Sequence, residues 1–166
     1  MIYLGIGSNL SSSFGNRFTN INSAISYLQQ KQINLIKKSS FYETFSYPNR
    51  EYPKFINIVV EVTTSLPAKN LMKELILIEE KLERKRLKKN DPRTCDIDII
   101  DYDQKKLKIK KPLNLTIPHP FIEHRNFVLL PLFEIAKNWK HPVSKVKIAK
   151  LISFLKEEDL RSIKQI

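Results

Sequence analysis

The sequence is short of cysteine, of glycine and of long apolar runs. Cys95 is the only cysteine among 166 residues, so no internal disulfide can form, and a reducing compartment is expected. Gly5 and Gly7 stand without the third glycine of a dinucleotide fingerprint, and no G-x-x-x-x-G-K-[ST] loop exists to cradle phosphates. No apolar stretch approaches the ~20 residues of a membrane span. Met1 to Leu10 has neither a basic n-region nor a signal pattern, so a cytoplasmic location is expected. No Cys/His cluster has zinc-ligand spacing, and no aromatic run resembles an RNA-recognition sheet. Repeats, low-complexity tracts and Gly/Ser linkers are absent. With 42% hydrophobic and 28% charged residues, the composition is that of ordinary globular proteins. It excludes wholesale disorder, collagen and a coiled-coil rod. The length predicts one domain, residues 1–166, large enough to bury a core without staples.

What the chain has in excess is positive charge. Its formal net charge is +12, which suits nucleic acid, a membrane surface or phosphorylated small molecules. Lysines spread along the chain read more simply as a solvated surface. The seven arginines carry more information, because a guanidinium grips phosphate or carboxylate bidentately. Arg84, Arg86, Arg93 and Arg125 are four of them.

Apolar spacing predicts a strand over 1–6, a helix near 15–30 and a strand over 33–44. A Pro-punctuated loop follows. Residues 55–63 alternate: Ile56, Ile58, Val60 and Val62 on one face, Phe55, Asn57, Val59 and Glu61 on the other. Ser65 and Pro67 mark a helix start, and Leu71, Leu75, Ile78 and Leu82 give that helix a buried stripe. The helix is expected to run into the basic stretch 84–89, with Glu79 and Arg86 on one face beside the stripe. A fourth strand is expected over 94–100, a turn at 101–104, a lysine-edged strand near 106–109, and a last helix capped by Ser144. The order βαββαβ plus a C-terminal helical extension predicts a ferredoxin-like α+β sandwich, with helices on one sheet face and the other free for ligand.

Arg93-Thr94-Cys95-Asp96-Ile97-Asp98 is the strongest local motif. On a strand, Asp96 and Asp98 point the same way, with Ile97 and Ile99 toward the core. Two carboxylates so placed repel unless a cation lies between them. Mg²⁺ suits them, since it takes one or two carboxylates plus substrate phosphates, and such a pair can hold two ions over a polyphosphate. A second Asp-x-Asp, Asp101 and Asp103, reads as turn chemistry. His119, between Pro118 and Pro120, lies on a stiff loop near arginines. Cys95 reads as a small core residue, and His124 and His141 have no evident role.

These motifs, with Gly7-Ser8-Asn9-Leu10, Ser40-Phe41-Tyr42-Glu43-Thr44, Phe55-Ile56-Asn57, Ile117-Pro118-His119, Arg125-Asn126-Phe127 and Pro131-Leu132-Phe133-Glu134-Ile135-Ala136, make nearly the whole chain resemble the 6-hydroxymethyl-7,8-dihydropterin pyrophosphokinases of folate biosynthesis. The resemblance implies the ferredoxin-like fold and transfer of pyrophosphate from ATP to the pterin hydroxymethyl group, releasing AMP. It implies two Mg²⁺ ions on Asp96 and Asp98, and catalytic roles for Arg84 and Arg93. Glu79, Arg86, Ile99, Thr116, His119 and Arg125 fall at its ATP-contacting positions. Phe55 and Phe127 match an aromatic pair that sandwiches the pterin, and Thr44 and Asn57 match groups that read its edge. Its implied partners are these two small molecules, with no membrane and no nucleic acid, and a monomer is expected. The segment between Arg86 and Pro92 departs from the family: it is one residue shorter, with Asn90-Asp91 in place of Trp-Gly. The alternatives are a ferredoxin-like RNA-binding protein, favoured by the net charge, and an Asp-x-Asp metal-dependent nucleotidyl transferase.

Overall fold

The computed structural model describes residues 1–85, 88, 90–110 and 113–166. These form eight strands and five α-helices. β1 (Ile2–Ser8) pairs antiparallel on one side with β4 (Phe55–Thr63) and on the other with β5 (Asp96–Tyr102). β2 (Asn34–Lys38) and β3 (Tyr42–Thr44) follow one another along the far side of β4. The single strand expected over 33–44 is therefore two. The chain leaves the ladder at Ser39, whose hydroxyl accepts from Val59 N–H while its own N–H bonds the Val59 carbonyl.

α1 (Arg17–Gln30) and α2 (Ala68–Lys81) cover one sheet face. Asn16 caps α1 by accepting from the N–H groups of Phe18 and Thr19. α2 has no such cap: the structure leaves Ser65 out of that role, and the Pro67 carbonyl takes the N–H of Asn70 and Leu71. The stripe predicted for α2 holds. Ile21 and Leu28 of α1, and Leu71, Leu75 and Ile78 of α2, with Leu82 just after it, pack on Ile56, Ile58, Val60, Val62, Ile97 and Ile99. Burying each of these side chains contributes about 1.5–3 kcal/mol before entropy.

Both helices end in the same backbone device. Ile33 N–H reaches the Leu28 carbonyl and Gln32 N–H the Gln29 carbonyl. After α2, Arg84 N–H reaches Glu79 O and Glu83 N–H reaches Glu80 O. These are Schellman closures. The residues in left-handed conformation are Gln32 (φ 58°) and Glu83 (φ 67°), where glycine is usual. Thus α2 stops at Lys81 and does not continue into the basic stretch.

The other sheet face is not free along its length. α3 (Asn126–Ile135) and α4 (Ile148–Ser153) lie over part of it, closing a second core of Tyr3, Val59, Ile100, Leu129, Leu132 and Trp139 with Ile148 and Leu151. A bulge in β5 serves this core. Leu4 faces Ile99 and Tyr3 faces Asp101, so Ile100 is the extra residue. Asp101 is thereby in the strand rather than a turn, and is buried, accepting from Trp139 Nε1 at 2.8 Å and from Gln104 N–H. The turn is left to Asp103 and Gln104, both with positive φ. β6 (Leu107–Ile109) and β7 (Leu115–Ile117) form a separate hairpin. Ser144 caps no helix: its N–H donates to His141 Nδ1, and Lys147 precedes α4. After α5 (Glu157–Arg161), an unforeseen strand, β8 (Ile163–Gln165), joins the sheet beside β3.

Candidate active site

What α3 and α4 leave uncovered is the end of the sheet where β1, β4 and β5 carry Gly7, Asn57 and Asp96. Gly7 is there for room: a Cβ would come 2.8 Å from Asn57 Oδ1. Asp96 and Asp98 are partly exposed, by 20% and 41% of their side chains, while Ile97 and Ile99 are in the core as the alternation requires.

Four cationic or imidazole groups converge on this pair. Asp96 Oδ1 lies 2.6 Å from Arg84 Nη1 and its Oδ2 2.7 Å from Arg93 Nη2. Asp98 Oδ2 lies 3.4 Å from Arg125 Nη1 and 3.8 Å from His119 Nε2. The two carboxylates therefore differ in character. Burial pushes Asp96 up, but the charges of Arg93 and Arg84 and their hydrogen bonds outweigh it and hold it below the ordinary range. Asp98 is raised to about 6, first by burial and then by the charge of Asp96, with Arg125 only partly opposing. His119 is lowered to about 4 by burial and by the Arg125 charge, so it is neutral at pH 7. Its Nδ1 accepts from Phe121 N–H, leaving Nε2 to face Asp98 and Arg125.

Arg84 and Arg93 are each held by identifiable neighbours. Arg84 occupies the last position of the α2 closure and pairs with Glu79 as well as Asp96. Glu79, expected beside the buried stripe, is instead 1% exposed. Its Oε1 accepts from Ile97 N–H at 2.7 Å, a donor on the outer edge of β5 that the sheet does not pair. Arg93 is held by Asn9: Asn9 Oδ1 accepts from Arg93 N–H at 2.7 Å, and the Arg93 carbonyl accepts from the N–H groups of Asn9 and Leu10. Asn9 Nδ2 also donates to Ser46 Oγ and the Pro53 carbonyl, joining the 46–53 loop to the Arg93 segment. Nothing in the sequence assigns Asn9 this role; its only signal there is an Asn directly after a strand.

The aromatic half adjoins. The Arg93 guanidinium carbon lies 5.1 Å from the Phe55 ring centroid and that of Arg125 lies 5.4 Å from Phe127, at the start of α3. Asn57 Nδ2 donates to Thr44 Oγ1 at 2.9 Å, which fixes both polar groups beside Phe55. Thr116 lines a cavity of about 430 Å³ with Lys108, Ile109, Lys110 and Asn114. The chain passes from that hairpin to His119 through a cis Ile117–Pro118 bond. The Ile99 side chain is packed in the core, so any contact it makes with a ligand is through other than an exposed side chain. Arg86 lies outside the described residues. Cys95 is buried, which pushes its thiol up and leaves it inert.

Among the described residues no three His, Cys, Asp or Glu side chains gather to hold a metal ion. Asp96 and Asp98 nonetheless suit a hard cation that completes its shell with water and phosphate oxygens. Thr94 Oγ1, two residues before Asp96, is buried without a partner.

The sequence model of the 7,8-dihydro-6-hydroxymethylpterin-pyrophosphokinase family matches residues 3–137. The chain is 35% identical over 142 residues to the 2-amino-4-hydroxy-6-hydroxymethyldihydropteridine pyrophosphokinase of Aquifex aeolicus, covering 86% of this chain and 84% of that one. It is 36% identical to a folic acid synthesis protein of Pneumocystis carinii over 98% of its own length. It spans only about a fifth of that relative, and of a similar protein from Dictyostelium discoideum. Among solved structures, an HPPK-DHPS of Plasmodium falciparum superposes with a TM-score of 0.70 at 18% identity, covering 99% of this chain and 46% of that one.

Proposed function

The chain belongs to the 7,8-dihydro-6-hydroxymethylpterin-pyrophosphokinase family, and from that premise we propose that it moves the terminal pyrophosphoryl group of ATP onto the hydroxymethyl oxygen of 6-hydroxymethyl-7,8-dihydropterin, releasing AMP, within cytoplasmic folate biosynthesis. The observation that carries this reading is the junction of an arginine–aspartate cluster with an aromatic, amide-lined end of the sheet. A polyphosphate needs the first and a flat heterocyclic alcohol the second. The strand order β5-β1-β4 followed by β2 and β3, with α1 and α2 on one face, supports a ferredoxin-like βαββαβ core. Among the described residues no helix is long and apolar enough to cross a membrane.

Pyrophosphoryl transfer demands alignment and charge neutralisation more than covalent help from the protein. Phe55 and Phe127 would stack on the pterin ring, and Thr44 and Asn57 would hydrogen-bond its edge, so that the alcohol is held in line with the β-phosphorus. Arg84 and Arg93 already lie beside the carboxylates. On ATP binding they would turn to the bridging oxygen, where charge accumulates as AMP departs. His119 is neutral and Arg125 charged; both would donate to phosphate oxygens. Asp96 and Asp98 would hold Mg²⁺, which supplies neutralisation of the triphosphate charge when bound.

The test is incubation with ATP, Mg²⁺ and the reduced pterin alcohol. AMP formed in step with pterin diphosphate supports the proposal. Pyrophosphate release instead would indicate nucleotidyl transfer. Tight, salt-sensitive RNA binding without AMP would indicate an RNA-binding protein.

A further inference from the structure

The segment after α4 touches both walls of the aromatic half of the site. Its strand β8 pairs with β3, setting Ile163 opposite Thr44 and Gln165 opposite Tyr42, and Ile166 N–H bonds the Phe41 carbonyl. Gln165 Nε2 donates to Ser40 Oγ at 3.0 Å. On the other wall, Asn126 stands between Arg125 and Phe127. Its Nδ2 donates to the Asp159 carbonyl at 2.5 Å and to Ser162 Oγ at 3.1 Å, and Ser162 Oγ donates to the same carbonyl at 2.8 Å. Asn126 Oδ1 accepts from Phe127 N–H at 2.7 Å, at the start of a helix whose preceding residue provides no side-chain cap. Between β3 and this segment lies a cavity of about 200 Å³, lined by Thr44 and Phe45 on one side and by Ser162 and Ile163 on the other.

We infer that residues 157–166 are a strap that sets the spacing between Thr44 and Phe127, and that Asn126 is the positioning residue through which it acts on the aromatic wall. This rests on the pterin reading of the site. One hydrogen-bonded segment reaches an edge-reading hydroxyl through β3 and a stacking ring through Asn126, while no bond of the strap described above reaches the arginine–aspartate cluster. Loosening it therefore weakens pterin binding and leaves nucleotide binding alone, a split that general destabilisation does not produce.

The experiment measures the affinity of the full chain for 6-hydroxymethylpterin and, separately, for a nonhydrolysable ATP analogue with Mg²⁺. The parent is compared with Asn126→Ala, Asn126→Asp and Ser162→Ala. Asn126→Asp keeps an acceptor for Phe127 N–H but loses the donor to Asp159. Both Asn126 variants should weaken pterin binding by about three- to tenfold, and Asn126→Ala, which adds no charge beside Arg125, should shift analogue affinity less than twofold. Ser162→Ala, the mildest change, should move pterin affinity the same way by about twofold, and it decides the matter should either Asn126 variant fail to fold. Unchanged pterin affinity in the variants, parental behaviour of Asn126→Asp, or parallel loss of both ligands overturns the strap while leaving the proposed function intact. A parent chain that binds no pterin overturns both.

Discussion

The carboxylate of Glu79, on α2, accepts a hydrogen bond from the backbone N–H of Ile97, on β5, at 2.7 Å. The same oxygen pairs with Arg84. Helix and strand are thus latched at the residue between the two aspartates, and the latch is buried. Glu79→Ala should lower stability by about 3 kcal/mol, since it strands the buried N–H of Ile97 and leaves the largely buried Arg84 guanidinium with Asp96 as its remaining carboxylate. Glu79→Gln, which retains an acceptor, should lose about half as much. Urea unfolding measures both, and a Glu79→Ala loss under 0.5 kcal/mol would refute the latch.

Asp96 holds one guanidinium on each carboxylate oxygen. Asp96→Asn leaves two clustered arginines without their shared counter-charge and removes a cation ligand of the proposed site. AMP formation should fall at least ~100-fold, with the far-ultraviolet circular dichroism unchanged. Near-parental turnover would remove Asp96 from the chemistry.

Acid should act on His119 and Asp98 with opposite signs in the ligand-free protein. His119 is lowered from 6.5 to about 4. As pH falls from 6.5 the unfolded chain takes up a proton that the folded one refuses, so stability present above 6.5 is lost on the way to 4. Asp98 is raised from 3.8 to about 6. As pH falls through 6 the folded chain binds the proton first, and stability rises. His119→Gln should therefore recover roughly 2–3 kcal/mol relative to the parent at pH 4.5 and little at pH 7.5. Asp98→Asn should gain about 1 kcal/mol at pH 7.5, discounted for its 41% exposure, and lose most of that gain by pH 4.5. Unfolding titrations across this range check both. Matching slopes in the two variants would contradict the assignment.

Asn9 joins the Arg93 segment to the 46–53 loop through its side-chain hydrogen bonds. Asn9→Ala should cost about 1–3 kcal/mol in stability. In AMP-formation assays it should reduce kcat more than it raises KM for ATP, because the role proposed for Arg93 is to act as charge develops rather than on the bound nucleotide. A change confined to KM would argue against that positioning.

Much of this site was legible as strand arithmetic. The alternation of 55–63 separates Ile56 and Ile58 from Phe55 and Asn57, and the period of two brings Asp96 and Asp98 to one face. Those inferences need only backbone geometry. What escaped was whatever depends on a distant partner. Glu79 reads as a surface charge because the unpaired N–H of Ile97 lies 18 residues away. Asp101 reads as a turn because one bulged residue, Ile100, reverses the alternation and sends it to Trp139. β8 has three residues and no periodicity, so only its pairing with β3 reveals it.

The left-handed glutamate that closes α2 also has a consequence for how the loop after it can vary. Arg84 takes its heading from a knot of main-chain bonds on Glu79 and Glu80, not from the amino acids that follow. Shortening or rewriting the stretch beyond it therefore leaves that cation's point of departure where it is.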